Sequence, residues 1–161
     1  MLGQARGQER SGHAHSGCTS TRHGGPGGTH GGGAYGSEVS AYSCYVNAGQ
    51  VTRPAGTEIV VRQGWAATTK HYDLDFIHAQ QTFVSVNGGG PIDLSDDWTT
   101  PRPYSPDSWV TYVFYPTGIV LGPGQSMTFH YVTSLKRTVF DGTAYAGPGP
   151  VIESNCTVTG S

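Results

Sequence analysis

Three cysteines, seven histidines and scattered aspartates are the residues whose chemistry could define this chain. Cys44 and Cys156 stand near the two ends of the region that carries the aromatic and branched aliphatic residues, each among apolar neighbours on its own expected strand face. Terminal strands that pair antiparallel would bring the two sulfurs to bonding distance. Closing a loop of over a hundred residues in this way stabilises a fold by about 4–5 kcal/mol in the chain-entropy picture. The alternative is two separate buried thiols. Cys18 is left over, either free or available to a second chain.

Imidazole, thiolate and carboxylate can also hold metals. His13, His15, Cys18, His23 and His30 lie in a Gly-rich segment whose spacings match no structured finger, so incidental low complexity is the expected reading. His71, Asp75 and His78 recur at helical spacing and form one polar face, which any solvated helix also shows. Asp93, Asp96 and Asp97 offer oxygens without the glycine and distal glutamate of a calcium loop. No metal site and no cofactor are expected. No nucleophile elbow, HExxH, phosphate loop or dinucleotide fingerprint occurs, and Asp73/Asp75 and Asp96/Asp97 sit too close together to act from facing walls. A non-catalytic role follows.

Aromatics are the remaining candidates. Trp98, Tyr104 and Trp109 surround the proline-rich stretch 95–108, and Tyr112 and Tyr115 follow it. Exposed flat rings beside Asp and Arg can stack on sugar faces, although aromatics of a β domain are more often core. By alternation Trp109 and Tyr115 share one face and Tyr112 and Phe114 the other, so one set should point outward. The partner such a patch serves would be a protein or a cell-surface glycan.

These residues must be positioned by strands. Every aromatic residue and every Val and Ile lies at or after Tyr35. Residues 1–36 hold 12 of the 25 glycines and too little apolar surface to offset the entropy of ordering, so a disordered Gly/His-rich tail is expected there. Residues 37–161 then form a single domain. It carries six basic and ten acidic residues, which gives no basic stripe for nucleic acid. No apolar run is long enough to span a bilayer. The first residues lack the apolar core of a secretion signal. Cysteines bracketing a Thr-, Ser- and Gly-rich domain nevertheless point to an extracellular or cell-surface setting, with any leader upstream of Met1; the alternative is a cytosolic protein whose thiols are reduced.

Within the domain, short alternating runs are broken by turn residues. Strands are expected over Val39–Val46, Thr57–Ala66, Gln81–Asn87, Pro91–Leu94, Trp109–Tyr115, Gly118–Gln125, Ser126–Thr133 and Val151–Thr159, with a further run near Leu135–Phe140. Asn87-Gly88-Gly89 and Gly122-Pro123-Gly124 supply turns. Thr68–Gln80 has helical periodicity through Tyr72, Phe76 and Ala79. The sum is an all-β, antiparallel sandwich of about seven to eight strands with one short helix.

The stretch Ile119–Val132, IVLGPGQSMTFHYV, resembles a hinge of bacterial extracellular Ig-like modules, in which one strand ends in Leu-x-Pro-Gly and the next begins with polar–apolar alternation. Pro54-Ala-Gly-Thr57 before Glu58-Ile-Val-Val61 is similar to the matching entry into an early strand. This resemblance covers about a quarter of the domain and implies Ig-like topology and an adhesion, spacer or surface role.

Overall fold

The computed structural model describes residues 37–161, and the expected tail of residues 1–36 lies outside them. Three sheets and two helices account for the described chain. β1 (Ser37–Ser40), β3 (Glu58–Ala67), β7 (Ser108–Val120) and β6 (Arg102–Ser105) form a four-stranded sheet in the order β1-β3-β7-β6. β2 (Gln50–Arg53), β11 (Gly149–Gly160), β8 (Ser126–Leu135), β4 (Gln80–Val86) and β5 (Ile92–Asp93) form a five-stranded sheet in the order β2-β11-β8-β4-β5. A small hairpin of β9 (Val139–Phe140) and β10 (Tyr145–Ala146) stands apart from both.

The two large sheets meet across one apolar layer. Ile59, Val61 and Val113 of the first sheet share a core with Val84, Phe129, Tyr131, Cys156 and Val158 of the second. In β4, β8 and the end of β11 period-two hydrophobicity selected the buried face, whereas β3 and β7 each bury several consecutive residues, Ile59-Val60-Val61 and Val110 to Val113. The buried Tyr131 hydroxyl donates to the Val61 carbonyl oxygen at 3.1 Å, fastening one sheet to the other, and burial raises its pKa. Asn87 and Gly88 both take positive φ, 49° and 72°, as the tight turn after β4 requires.

Several expectations need correction. The run Val39–Val46 is not one strand: β1 stops at Ser40, whose hydroxyl accepts from the Ser43 amide at 3.0 Å and caps α1 (Ala41–Val46). A serine with a satisfied capping role outweighs the alternation that follows it. Cys44 is therefore helical. The pairing is also not wholly antiparallel, because β1 lies parallel to β3 and β2 parallel to β11. The first and last strands sit in different sheets. Among the described residues, eleven strands and two helices replace the seven or eight strands and one helix expected. Much of the difference lies in short edge pieces, including β6 inside the proline-rich stretch 95–108, where Pro103 is tolerated because the strand ends its sheet. Trp109–Tyr115 and the run after it are parts of one strand, β7. β2 at Gln50–Arg53 was not foreseen, since only Val51 of its four residues is a large apolar residue.

The second helix, α2 (Lys70–Ala79), falls inside the expected Thr68–Gln80 segment. Thr69 caps it by accepting from the Tyr72 amide at 3.3 Å. Phe76 and Ala79 are fully buried, as the periodicity required. Phe76 stacks on Trp65 of β3 with ring centroids 4.3 Å apart and meets Trp98 edge-on at 4.9 Å. The helix thus plugs the space beside β3 with aromatic surface.

Candidate functional site

Cys44 and Cys156 are joined as a disulfide, with Cα atoms 5.3 Å apart and a sequence separation of 112 residues. The bond runs from α1 to β11 rather than between two paired strands. Both cysteines are buried at the core, so helix α1 is held against the five-stranded sheet by a covalent link. Cys18 lies outside the described residues.

Of the three aromatics expected to bind a ligand, Trp98 is turned inward, while Tyr104 and Trp109 stand on paired neighbouring strands. Trp98 is buried, and its Nε1 donates to Thr82 Oγ1 at 3.1 Å. It leaves the exposed set because the indole N–H finds an internal acceptor while the ring packs on Phe76. Tyr104 is 70 % exposed on β6. Trp109 is half-buried, with the Lys70 ammonium 6.0 Å from its ring centre. On the outer face, Tyr112 lies against Gly64, where a Cβ would come within 2.9 Å of the ring, and the guanidinium carbons of Arg62 and Arg102 approach it to 4.4 and 5.2 Å. The outward-pointing set is thus Tyr112 and Phe114, and Arg side chains cover Tyr112.

Thr82 is a buried hub. Its hydroxyl bonds Trp98 Nε1, Gln80 Oε1 at 2.8 Å and Thr133 Oγ1 at 2.9 Å. We expect Thr82→Val to destabilise the domain by about 1–3 kcal/mol by orphaning these groups, with Thr82→Ser recovering most of it, as measured by urea unfolding.

In the helical trio His71, Asp75 and His78, the carboxylate is already engaged. Arg137 clasps Asp75 with two nitrogens, at 2.9 and 2.5 Å, and this hydrogen bonding holds the Asp75 carboxyl below its ordinary pKa. Asp93 accepts from Ser95, which lowers its pKa likewise. Among the described residues, no group of three or more His, Cys, Asp or Glu could hold a metal ion.

A different surface is organised. The strand register places outward-facing side chains of the five-stranded sheet in rungs. Ser85, His130 and Asn155 form one rung; Thr128, Thr157 and Gln50 form the next; Phe83, Val132 and Glu153 form a third on the other side. A groove of about 570 Å³ crosses the first two rungs between the Ala48-Gly49 turn and the Gly88-Gly89 turn, and Cys156 lines it. A second hollow of about 360 Å³, lined by Phe83, Pro91 and Val132, shares Ser85 and His130 with it. His130 Nε2 stands 3.0 Å from Glu153 Oε1, and both side chains face solvent. Gly49 is required at the rim: its φ is 80°, and a Cβ there would press within 3.2 Å of the Asn155 carbonyl oxygen.

Sequence reasoning missed this groove. Its residues are the polar halves of alternating runs, which read as ordinary solvated faces until register aligns them across strands.

No protein-family model, curated protein or solved structure matches this chain. The class is thus defined by architecture alone: a mostly-β domain of two facing sheets, closed by one disulfide. No helix among the described residues is long and apolar enough to cross a membrane.

Proposed function

We propose that residues 37–161 form a non-catalytic, extracellular or cell-surface module with Ig-like sandwich character and an adhesion or interaction role. The groove across the five-stranded sheet is its contact surface. One observation carries this reading: Cys156, covalently tied to Cys44, lines the groove. A staple in that position keeps the walls of a binding face in place under oxidising conditions, where disulfides persist. The groove offers amide, hydroxyl and imidazole groups (Gln50, Ser85, Asn155, His130), and the adjoining hollow adds the apolar Phe83 and Pro91. Such a mixture suits a polar, extended partner, a surface protein or a glycan, held by several modest hydrogen bonds.

The test is binding of the oxidised protein to panels of surface proteins and glycans, followed by His130→Ala/Asn155→Ala. The double variant should weaken capture at least tenfold while leaving the unfolding midpoint within a few degrees. Binding that is indifferent to both changes would exclude the groove.

A second reading, a carbohydrate-binding module acting through the ring of Tyr104, is favoured by that side chain's 70 % exposure. It predicts glycan capture lost on Tyr104→Ala and retained in the groove variant.

A further inference from the structure

The most anomalous group in the domain is a carboxyl. Asp73, on α2, has no exposed surface, and neither carboxyl oxygen has a hydrogen-bond partner. Leaving a charged carboxylate so placed is costly, because the water it loses is replaced by nothing. Two further atoms share this condition, Gln63 Oε1 and Trp65 Nε1. Gln63 and Trp65 are alternate residues of β3, hence on one face of it. Trp65 stacks on Phe76, which follows Asp73 by one helical turn on the same side of α2. The three residues thus belong to the faces that α2 and β3 turn to one another, with no two of the orphaned atoms within hydrogen-bond reach.

Their donors and acceptors can be counted. Gln63 Nε2 already donates to the Gly64 carbonyl at 3.2 Å, which fixes its amide with Oε1 free. With Asp73 ionised, three oxygens wait as acceptors and a single N–H, that of Trp65, can donate. With Asp73 protonated, two donors (Trp65 N–H and the carboxyl O–H) face two acceptors (Gln63 Oε1 and the second carboxyl oxygen). One proton balances the count, with ordered water bridging groups that do not reach one another directly.

We propose that Gln63, Trp65 and Asp73 form one buried polar cluster completed by a proton on Asp73, and that losing this proton loosens α2 from β3 as a pH-sensitive switch. Among the described residues, no opposing charge acts on the ionised form. On α2 itself Lys70, His71 and His78 are exposed and Asp75 is committed to Arg137. On β3, Glu58 and Arg62 alternate away from Gln63 and Trp65. Of the titratable residues of β7 only Tyr115 points inward, and β9 carries none. Burial alone pushes the Asp73 carboxyl up to about 7, from an ordinary value of 3.8.

The sign follows from linkage. A carboxyl whose pKa is higher folded than unfolded binds more protons in the folded state between the two values. Its effect therefore leaves the fold most stable at low pH, weakens it as pH rises from about 4, and levels off above about 7. Between pH 5 and pH 8.5 the unfolding equilibrium constant should rise roughly a hundredfold through this group alone.

The test compares wild type with Asp73→Asn, which keeps the shape, donates from its amide and cannot ionise. Urea unfolding from pH 5 to pH 8.5 should show that the substitution removes this hundredfold dependence and leaves the variant the more stable of the two proteins at pH 8.5. Carbon-detected NMR should place the Asp73 carboxyl midpoint near neutrality. Hydrogen exchange, corrected for intrinsic rates, should show α2 amides losing protection at pH 8.5 while those of β8 and β11 keep theirs. An Asp73 midpoint near 4, equal pH slopes in the two proteins, or α2 protection unmoved by pH would each overturn the switch.

Discussion

Cys156→Ser should lower the unfolding free energy by about 4–5 kcal/mol relative to the oxidised protein. The disulfide spans 112 residues, and its loss returns that loop's freedom to the unfolded chain. Domains of this size are stable by only about 5–15 kcal/mol, so the variant should stand near the edge of folding at 37 °C. Cys44→Ser should match it, and the double variant should cost no more than either single change, because all three break one bond. Thiol titration supplies an independent check. Of the chain's three cysteines, at most one, Cys18, should react in unfolded, unreduced protein. Three reactive thiols, or a midpoint unmoved by reductant, would remove the staple and with it the case for an oxidising compartment.

Phe76→Ala should cost about 3–5 kcal/mol, a second effect of comparable size. The side chain is fully buried and touches two indoles, stacked on Trp65 and edge-on to Trp98. Removing it opens a cavity that two large, rigid rings cannot refill by small shifts. Urea unfolding gives the loss. Near-UV circular dichroism should change as well, since both tryptophans lose a fixed neighbour. Tyr104→Ala is the contrasting control: its ring is 70 % exposed, and its removal should stay within about 0.5 kcal/mol. Equal costs at the two positions would mean that α2 is not docked as described.

β4, β8 and the end of β11 were legible because their burial alternates. Met127, Phe129 and Tyr131, or Cys156 and Val158, announce a core face with no knowledge of what lies opposite. Several short strands were not. β2, β6 and β10 have four residues or fewer, too few for a period to show, whereas β5 falls within the expected Pro91–Leu94 and β9 within the run near Leu135–Phe140. They exist because a neighbouring edge offers hydrogen-bonding groups. α1 was hidden for a related reason: Tyr42, Cys44 and Val46 alternate as a strand would, and the decisive signal was the single serine before them.

The candidate sites divide in the same way. Cys44 and Cys156 could be paired on paper from their places at the two ends of the domain, though the supposed route, two terminal strands side by side, was not the one taken. Trp98 could not be placed, because whether an indole faces water depends on an internal acceptor, here Thr82, 16 residues away in sequence. Asp73 shows the limit most sharply. In sequence it is an ordinary acidic residue in the first turn of a helix, and only the packing of α2 on β3 buries it.

What the chain determined by itself was composition and period: where a core could form, that it would be built from strands, that one segment would coil into a helix beside them, and which two thiols bracketed the whole. Register, parallel pairing, the groove's three rungs and the burial of one carboxyl were decided by tertiary structure. Periodicity is local, whereas each of those properties depends on which distant residue arrives opposite, and that is settled when two sheets and a helix close on a common core.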